Sequence, residues 1–472
     1  MKYSNEACTT LAVGTAMTAD GSRIYARSDD STSKNAVNLA IYKDSDNGPK
    51  EFKAIDSPFR CDLPSKRLGY SAVGRTGLPG HWGEAGFNSA GVGMSATETI
   101  FSSEKVLATD PYVPDGLGEN CVYDIVLPYV TSAREGVKRL GSLIEKHGSA
   151  EGFGIAFMDA DELWYLENAG GHRWLARRLP EDVYFVSGNQ SRYREYNPKD
   201  KRNYLASKDL IEFAVQNGLY DPAKGDFDFH EAYSLESEND KTYNYPRVWG
   251  VQKLLTPSVK TNVKVNDFPV FQKADRPITL SDVRDVFRFH YDGTSHDPYL
   301  HSNPKEPYRP VSIFRTINTH ILQIRPWLPK EIGCVNYMAE GMADLSVFLP
   351  LYQGVGSYAK PWLVGGKESS ANSAYWKFRK VSVLAMTDYN AYAPVVKKAF
   401  ADLEAENDQR QKEMEEEYLA MYTSRPIAAR EMLQRFSDRM MAKSLEVADS
   451  LQEELFTRLT ADIEKTYRFH GA

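Results

Sequence analysis

The sequence predicts an α+β fold in which antiparallel strands come first and the longest helices come last. Three stretches carry that expectation. A hairpin pattern starts near residue 9, an alternating meander runs over 153–188, and an amphipathic pattern fills the chain beyond residue 390.

The elements follow in order. Residues 9–14 read as a strand, Asp20-Gly21 as a turn, and 23–27 as the returning strand. Residues 85–97 read as a turn entering a strand. Apolar spacing through Ile125, Val126, Tyr129, Val130, Val137, Leu140 and Ile144 predicts one helix over 122–147, stopped by Gly148. The meander has strands at 153–158, 162–168, 172–177 and 183–187, with turns at Asp159-Ala160-Asp161 and Gly170-Gly171. Helices are expected at 203–217 and 280–290, a strand pair at 311–324 and a further strand at 343–350. Eight acids and two bases lie between Asp402 and Glu417. Beyond them Met432, Leu433, Phe436, Met440, Leu445, Val447, Ala448, Leu451, Leu455 and Leu459 recur at helical spacing, with Pro426 suited to a helix start. This stripe is expected to cover the main domain or a second subunit, which makes a homo-oligomer the expected assembly.

Composition narrows the class. At about 100–200 residues per domain, 472 residues leave room for roughly two or three domains. Hydrophobic residues at 42% and charged residues at 26% exclude a disordered, collagenous or filamentous chain. With 57 basic against 64 acidic residues, no basic face for nucleic acid is expected. The start of the chain shows no apolar signal-peptide core, and no run approaches the roughly 18 apolar residues of a membrane span. The four cysteines, Cys8, Cys61, Cys121 and Cys334, form no CxxC pair. A reduced, cytoplasmic protein without membrane contact is the expectation.

The search for chemistry begins with absences. There is no HExxH, phosphate-binding loop, GxSxG elbow or EF-hand loop. His290, His296 and His301 lie close together, but in turn-rich sequence that reads as a polar loop, so neither metal nor cofactor is expected. Cys8 stands out by position, directly ahead of a strand. Taken alone it reads as a small buried hydrophobe. Cleavage before it changes its chemistry. A free α-amine titrates near 7.7–8.0, against about 10.4 for lysine, so at neutral pH a useful fraction is an unprotonated base beside its own thiol.

At this point the sequence resembles a family. Cys8-Thr9-Thr10, Asp20-Gly21 and Arg27-Ser28-Asp29-Asp30 look like the opening of the C69 dipeptidases, which belong with choloylglycine hydrolases and penicillin V acylases among the N-terminal-nucleophile hydrolases. Further motifs follow in order: Asn88-Ser89-Ala90-Gly91-Val92, Met94-Ser95-Ala96-Thr97-Glu98-Thr99, the tryptophans Trp164 and Trp174, Ser187-Gly188-Asn189-Gln190-Ser191-Arg192, Tyr245-Pro246-Arg247-Val248-Trp249 and Ser373-Ala374-Tyr375-Trp376. The resemblance covers roughly residues 8–400.

The resemblance implies a four-layer αββα fold with a C-terminal helical extension. Residues 1–7 would be a propeptide, 8–390 the catalytic domain and 391–472 the extension. It implies a cysteine dipeptidase of broad side-chain tolerance acting on dipeptides. Cys8 would be nucleophile and, through its amine, base. Arg27 would stabilise the thiolate. Asp30 would orient the amine, past the strand end if it shares a site with Arg27, with Asp29 as fallback. Asn189 would face the oxyanion, Asn88 would add a second donor, and Arg247 would close the charge network around the amine and Asp30. A carboxylate for the substrate amine is also required, with Glu84, Glu98 and Asp124 as unranked candidates. Two rivals stand beside this reading: an amidase of the bile-acid or penicillin V type, and a non-catalytic protein similar to the secernins.

Overall fold

A computed structural model describes residues 7–75, 82–300 and 306–467, without the side chains of Thr97 and Glu98. Expectations for residues 1–6, His301 and the Glu98 side chain fall outside the described residues.

The expected hairpin forms. β1 (Ala7–Val13) and β2 (Arg23–Asp30) pair antiparallel, and Gly21 takes the left-handed φ of 80° at the turn. Both strands are buried along their whole length. They occupy the middle of an antiparallel sheet ordered Phe271–Gln272, Tyr184–Ser187, β1, β2, Thr316–Ile324, Cys334–Glu340 and Leu349–Tyr352. A second sheet runs Tyr204–Ala206, Arg173–Arg178, Leu163–Ala169, Phe153–Met158, Gly93–Thr99, Gly83–Phe87, Tyr70–Arg75 and Val37–Tyr42.

Several local expectations are corrected. The first three strands of the meander pair consecutively, but Tyr184–Ser187 leaves for the other sheet and pairs with β1. Alternation identifies a strand, not its partner. Gly14 lets this crossing chain pass, because a Cβ there would lie 2.4 Å from the Glu181 carbonyl oxygen. The single helix expected over 122–147 is two, Glu119–Val126 and Ala133–His147. Pro128, which lacks an N–H, sits between them, and Ser132 caps the second helix by accepting from Glu135 N at 3.2 Å. The helix expected at 203–217 is the short strand Tyr204–Ala206 followed by the helix Leu210–Gln216. The strand pair expected at 311–324 is the single strand Thr316–Ile324. Its partner Cys334–Glu340 gives no alternating signal because every residue in it is buried. Residues 343–350 hold a single helical turn, Ala343–Leu345, ahead of the strand Leu349–Tyr352.

Three buried clusters organise the interior. One draws Ala12, Tyr25, Phe185 and Leu322 from the first sheet together with Met158 and Tyr165 from the second. Another joins Met94, Phe157, Trp164 and Trp174 to Val122, Ile125, Leu140 and Ile144 of the two helices above. The third joins Leu11, Val13, Ile24 and Ala26 to the C-terminal helices Tyr389–Tyr422 and Pro426–Thr466. The expected boundary at 390/391 therefore falls in the first turn of a helix capped by Asp388, and that helix shares the core of the sheet beneath it. The stripe from Met432 to Leu455 is largely buried within the chain, so it offers no separate argument for a second subunit. Each fully buried Leu or Phe of this kind contributes about 1.5–3 kcal/mol. Part of the acidic run is also anchored: Arg284 takes Asp408 at 2.8 Å, and Arg325 takes Glu415 at 2.6 and 2.7 Å. No helix among the described residues is long and apolar enough to cross a membrane.

The two tryptophans of the resemblance are packing residues. Trp164 donates to Glu162 at 2.7 Å beneath Arg134, and Trp174 lies against Gly141 of the helix Ala133–His147. A Cβ at Gly141 would stand 2.2 Å from the Trp174 ring. Gly141→Ala is therefore expected to destabilise the fold by about 1–3 kcal/mol by overpacking, although alanine is intrinsically the better helix former. Urea denaturation measures this, and an unchanged midpoint would show that the indole simply moves aside.

Candidate active site

The register of the hairpin assembles the first half of the site. Cys8 lies opposite Asp29, and Thr10 opposite Arg27. Cross-strand partners share a face, so Cys8, Arg27 and Asp29 all point toward the second sheet. Arg27 Nη1 stands 3.0 Å from the Cys8 Sγ. Its Nε donates to Ser95 Oγ at 3.2 Å, and its Nη2 lies 3.3 Å from Glu84 Oε2. Burial pushes the Cys8 thiol well up, and the Arg27 guanidinium is the principal force holding it down. The Met94–Thr99 run thus contributes Ser95, whose hydroxyl also meets His320 Nε2 at 2.8 Å. Burial and then Arg27 push His320 well below the usual histidine range, which keeps it neutral.

The second half comes from the loop after Tyr184–Ser187 and from the start of the helix Tyr245–Leu255. The Cys8 N–H donates to Asn189 Oδ1 at 3.4 Å. Arg247 Nη2 donates to the same oxygen at 2.8 Å, while Nη1 bonds the Cys8 carbonyl and, at 3.1 Å, Thr9 Oγ1. Asn244 braces both: its Oδ1 accepts from Asn189 N at 3.0 Å and from Arg247 Nη2 at 2.5 Å. Gly188 permits this approach, since a Cβ there would lie 2.9 Å from Arg247 Nη2. Asn189 Nδ2 donates to the Thr99 carbonyl at 3.0 Å.

Two expected roles meet a different geometry. Asp30 does not lie past the strand: it is the last residue of β2, with Ala7 as its cross-strand partner and with alternation placing it on the face away from Arg27. Its carboxylate accepts from Arg309 Nη2, from Thr316 Oγ1 at 2.5 Å and from Ser28 Oγ at 3.5 Å. The cation on Asp30 is thus Arg309, while Arg247, expected at both the amine and Asp30, is placed around the Cys8 nitrogen and carbonyl. Asn88 is not brought to Cys8. Its Oδ1 accepts from Ala90 N and Val92 N at 3.0 Å, its Nδ2 donates to the Leu127 and Val130 carbonyls at 2.8 Å, and its N–H donates to Val92 O at 2.9 Å. Its N–H and Oδ1 hold the turn in which Gly91 takes a φ of 90°, and its Nδ2 ties that turn to residues 127–130.

Behind the thiol lies a buried charge cluster that the sequence reading did not assemble. Arg75 reaches Asp29 Oδ1 at 3.0 Å, Glu84 Oε1 at 2.6 Å and Glu119 Oε1 at 3.2 Å. Against the upward push of burial, Arg75 and then Arg27 hold Asp29 down to about 2. Burial and then Asp29 push Glu84 well up. Asp29, Glu84 and Glu119 stand close enough together to hold a metal ion, but Arg27 and Arg75 already pair with all three. The second such group, His290 with Asp292 and Asp297, includes a histidine whose two ring nitrogens each lie 3.0 Å from a carboxylate oxygen. Burial pushes this imidazole down, but hydrogen bonding to Asp292 and the charges of Asp344, Asp292 and Asp297 outweigh it and raise it. His296 stacks on Tyr308 at 4.1 Å.

A cavity of about 400 Å³ opens beside the cluster, with Arg75, Trp82 and Glu119 in its wall. Of the carboxylates considered for a substrate amine, Glu84 is sealed between Arg27 and Arg75. Asp124 accepts from Tyr70 OH at 2.9 Å and Gly83 N at 3.1 Å. Arg75, Glu119, His320 and Asn318, whose Nδ2 donates to Glu84 Oε2 at 3.4 Å, carry no sequence motif. Asn244 does leave one signal, a capping residue type directly ahead of Tyr245-Pro246.

Comparison with known proteins follows the same line. Residues 7–402 match the model of peptidase family C69. A "Probable dipeptidase" of Salmonella dublin is 51% identical over 355 residues, covering 75% of this chain and 82% of its own. "Probable dipeptidase A" of Streptococcus pyogenes serotype M3 is 38% identical over 392 residues, covering 81% and 84%. Among solved structures, a variant of conjugated bile acid hydrolase from Clostridium perfringens aligns with 73% of this chain and 92% of its own at 10% identity, with a TM-score of 0.27, too low to support an argument.

The depressed Asp29 yields a pH prediction. Its ionised form stabilises the fold above its ordinary value of 3.8, and that contribution is lost as pH falls toward about 2. Unfolding free energy is expected to drop more steeply over this window in the wild type than in Asp29→Asn. Equal slopes in acid denaturation would remove Asp29 as the cause.

Proposed function

The chain belongs to peptidase family C69 and is a peptide hydrolase, and from that premise we propose that it is a dipeptidase whose nucleophile is Cys8 once residues 1–7 are removed. The observation that carries the proposal is the convergence on one residue. A guanidinium nitrogen lies 3.0 Å from its sulfur, and an amide oxygen accepts from its nitrogen at 3.4 Å. The relatives named as dipeptidases support the substrate class. The cluster shared by the two sheets, with helices against each outer face, supports the four-layer αββα reading.

Maturation comes first. The Cys8 thiol attacks the Ala7 carbonyl carbon, the Cys8 nitrogen takes a proton and leaves as an amine, and water hydrolyses the thioester. Residues 1–7 depart as a peptide acid, leaving a free thiol and a free amine. Asp30 is the cross-strand partner of Ala7, so the cleaved bond lies at the end of the paired hairpin.

In turnover the amine takes the thiol proton, and Arg27 stabilises the thiolate. The thiolate attacks the scissile carbonyl. Asn189 keeps its Oδ1 toward the amine, and the second hydrogen on Nδ2 donates to the oxyanion. Loss of one such donor typically costs about 2.7–4 kcal/mol of barrier. The ammonium protonates the leaving amine, and water activated by the same amine cleaves the thioester. Arg247 acts as a positioning residue through the Cys8 carbonyl and Asn189 Oδ1.

Intact mass tests this reading. Wild type is expected to lack residues 1–7, while Cys8→Ala retains Ala7, and processed wild type is expected to hydrolyse Ala-Ala but not glycocholate. Wild type that cleaves Ala-Ala with residues 1–7 still attached would refute the amine as base. In processed enzyme, Asn189→Ala is expected to lower kcat by about 10²–10³. An unchanged kcat would assign the oxyanion to another donor.

A further inference from the structure

We propose that the cavity beside the charge cluster behind Cys8 seats the amino-terminal residue of the substrate and that Glu119 is the carboxylate receiving its α-ammonium group. This deepens the dipeptidase reading and rests on it.

Three observations lead there. The cavity wall includes Arg75 and Glu119, which also belong to the charge cluster behind the thiol. A single nitrogen, Arg27 Nη1, stands 3.0 Å from the Cys8 Sγ and 4.0 Å from Glu119 Oε1, so carboxylate and nucleophile are neighbours. Of the three clustered carboxylates, Asp29 and Glu84 are sealed beneath the guanidinium groups, and Glu119 is the one that lines the cavity.

The geometry suits a peptide end. In a substrate the α-nitrogen and the scissile carbonyl carbon are joined through one Cα, about 2.5 Å apart. An ammonium bonded to Glu119 therefore brings the carbonyl of its own residue toward the sulfur. Processing removes Ala7, itself buried next to Cys8. Every dipeptide presents an ammonium whatever its side chains, so recognition there is compatible with broad side-chain tolerance.

Glu119 also opens the helix Glu119–Val126, where an acid favours the helix dipole. The test must separate that role from recognition. Ala-Ala and N-propionyl-alanine differ only by the α-amine. Processed wild type is expected to prefer Ala-Ala by at least about 100-fold in kcat/KM. Glu119→Gln is expected to raise KM for Ala-Ala so that kcat/KM falls by about 100-fold, with a far smaller change for propionyl-alanine. The preference then collapses, and Glu119→Asp restores part of it. Intact mass and thermal midpoint are recorded for each variant. A purely structural role would lower both substrates together and keep the preference, which would overturn the proposal. If Glu119→Gln does not fold or process, the proposal still fails should wild type cleave propionyl-alanine as fast as Ala-Ala. Processed wild type inactive on every dipeptide tested would instead refute the dipeptidase reading beneath it.

Discussion

Arg27 sets the terms for the centre of this molecule. Its guanidinium is fully buried, in contact with a thiol, a hydroxyl and a carboxylate. A charge taken out of water carries a cost of several kcal/mol that only partners in good geometry offset. The composition of β2 follows from this. Residues 27–30, Arg-Ser-Asp-Asp, are polar yet buried, and each charged side chain among them has an opposite charge within reach. Removing a single partner from such a cluster leaves an uncompensated charge.

The same cluster joins stability to chemistry. The cation that holds down the Cys8 thiol is itself held by Glu84, and Glu84 and Asp29 are tied to Arg75. On the other side of Cys8, Arg247, Asn189 and Asn244 form a closed set of hydrogen bonds around its nitrogen and carbonyl. The cysteine is thus fixed from both sides, sulfur toward one network and backbone toward the other. Neither network is a loop feature alone. Each is carried by strands or helix ends rooted in the apolar clusters.

Those clusters supply what the polar centre cannot. Central strands rich in buried charge contribute little hydrophobic stabilisation of their own. The compensating apolar surface lies partly between the sheets and partly on their outer faces, where much of it is provided by the two C-terminal helices. The family match ends at residue 402, yet Met414, Phe436, Met440 and Leu455 pack into the same core as Leu11 and Ile24. The extension is continuous with the scaffold of the hairpin that carries Cys8.

Much of this was legible in the sequence. The hairpin after Cys8, three strands of the meander and the long terminal helical pattern follow from periodicity and turn residues, which act over a few positions. The ordered motifs pointed to Cys8, Arg27, Asn189 and Arg247, and the structure brings these four together. Local pattern could not say that Tyr184–Ser187 changes sheet, that Asp30 turns to Arg309, or that Asn88 holds its own turn. Nor could it find Arg75 or Glu119, which reach the site only through strand order, register and helix placement. Periodicity determines which face of an element is apolar. The pairing of charges from distant segments is decided by tertiary packing, where each buried ion must find its counter-ion.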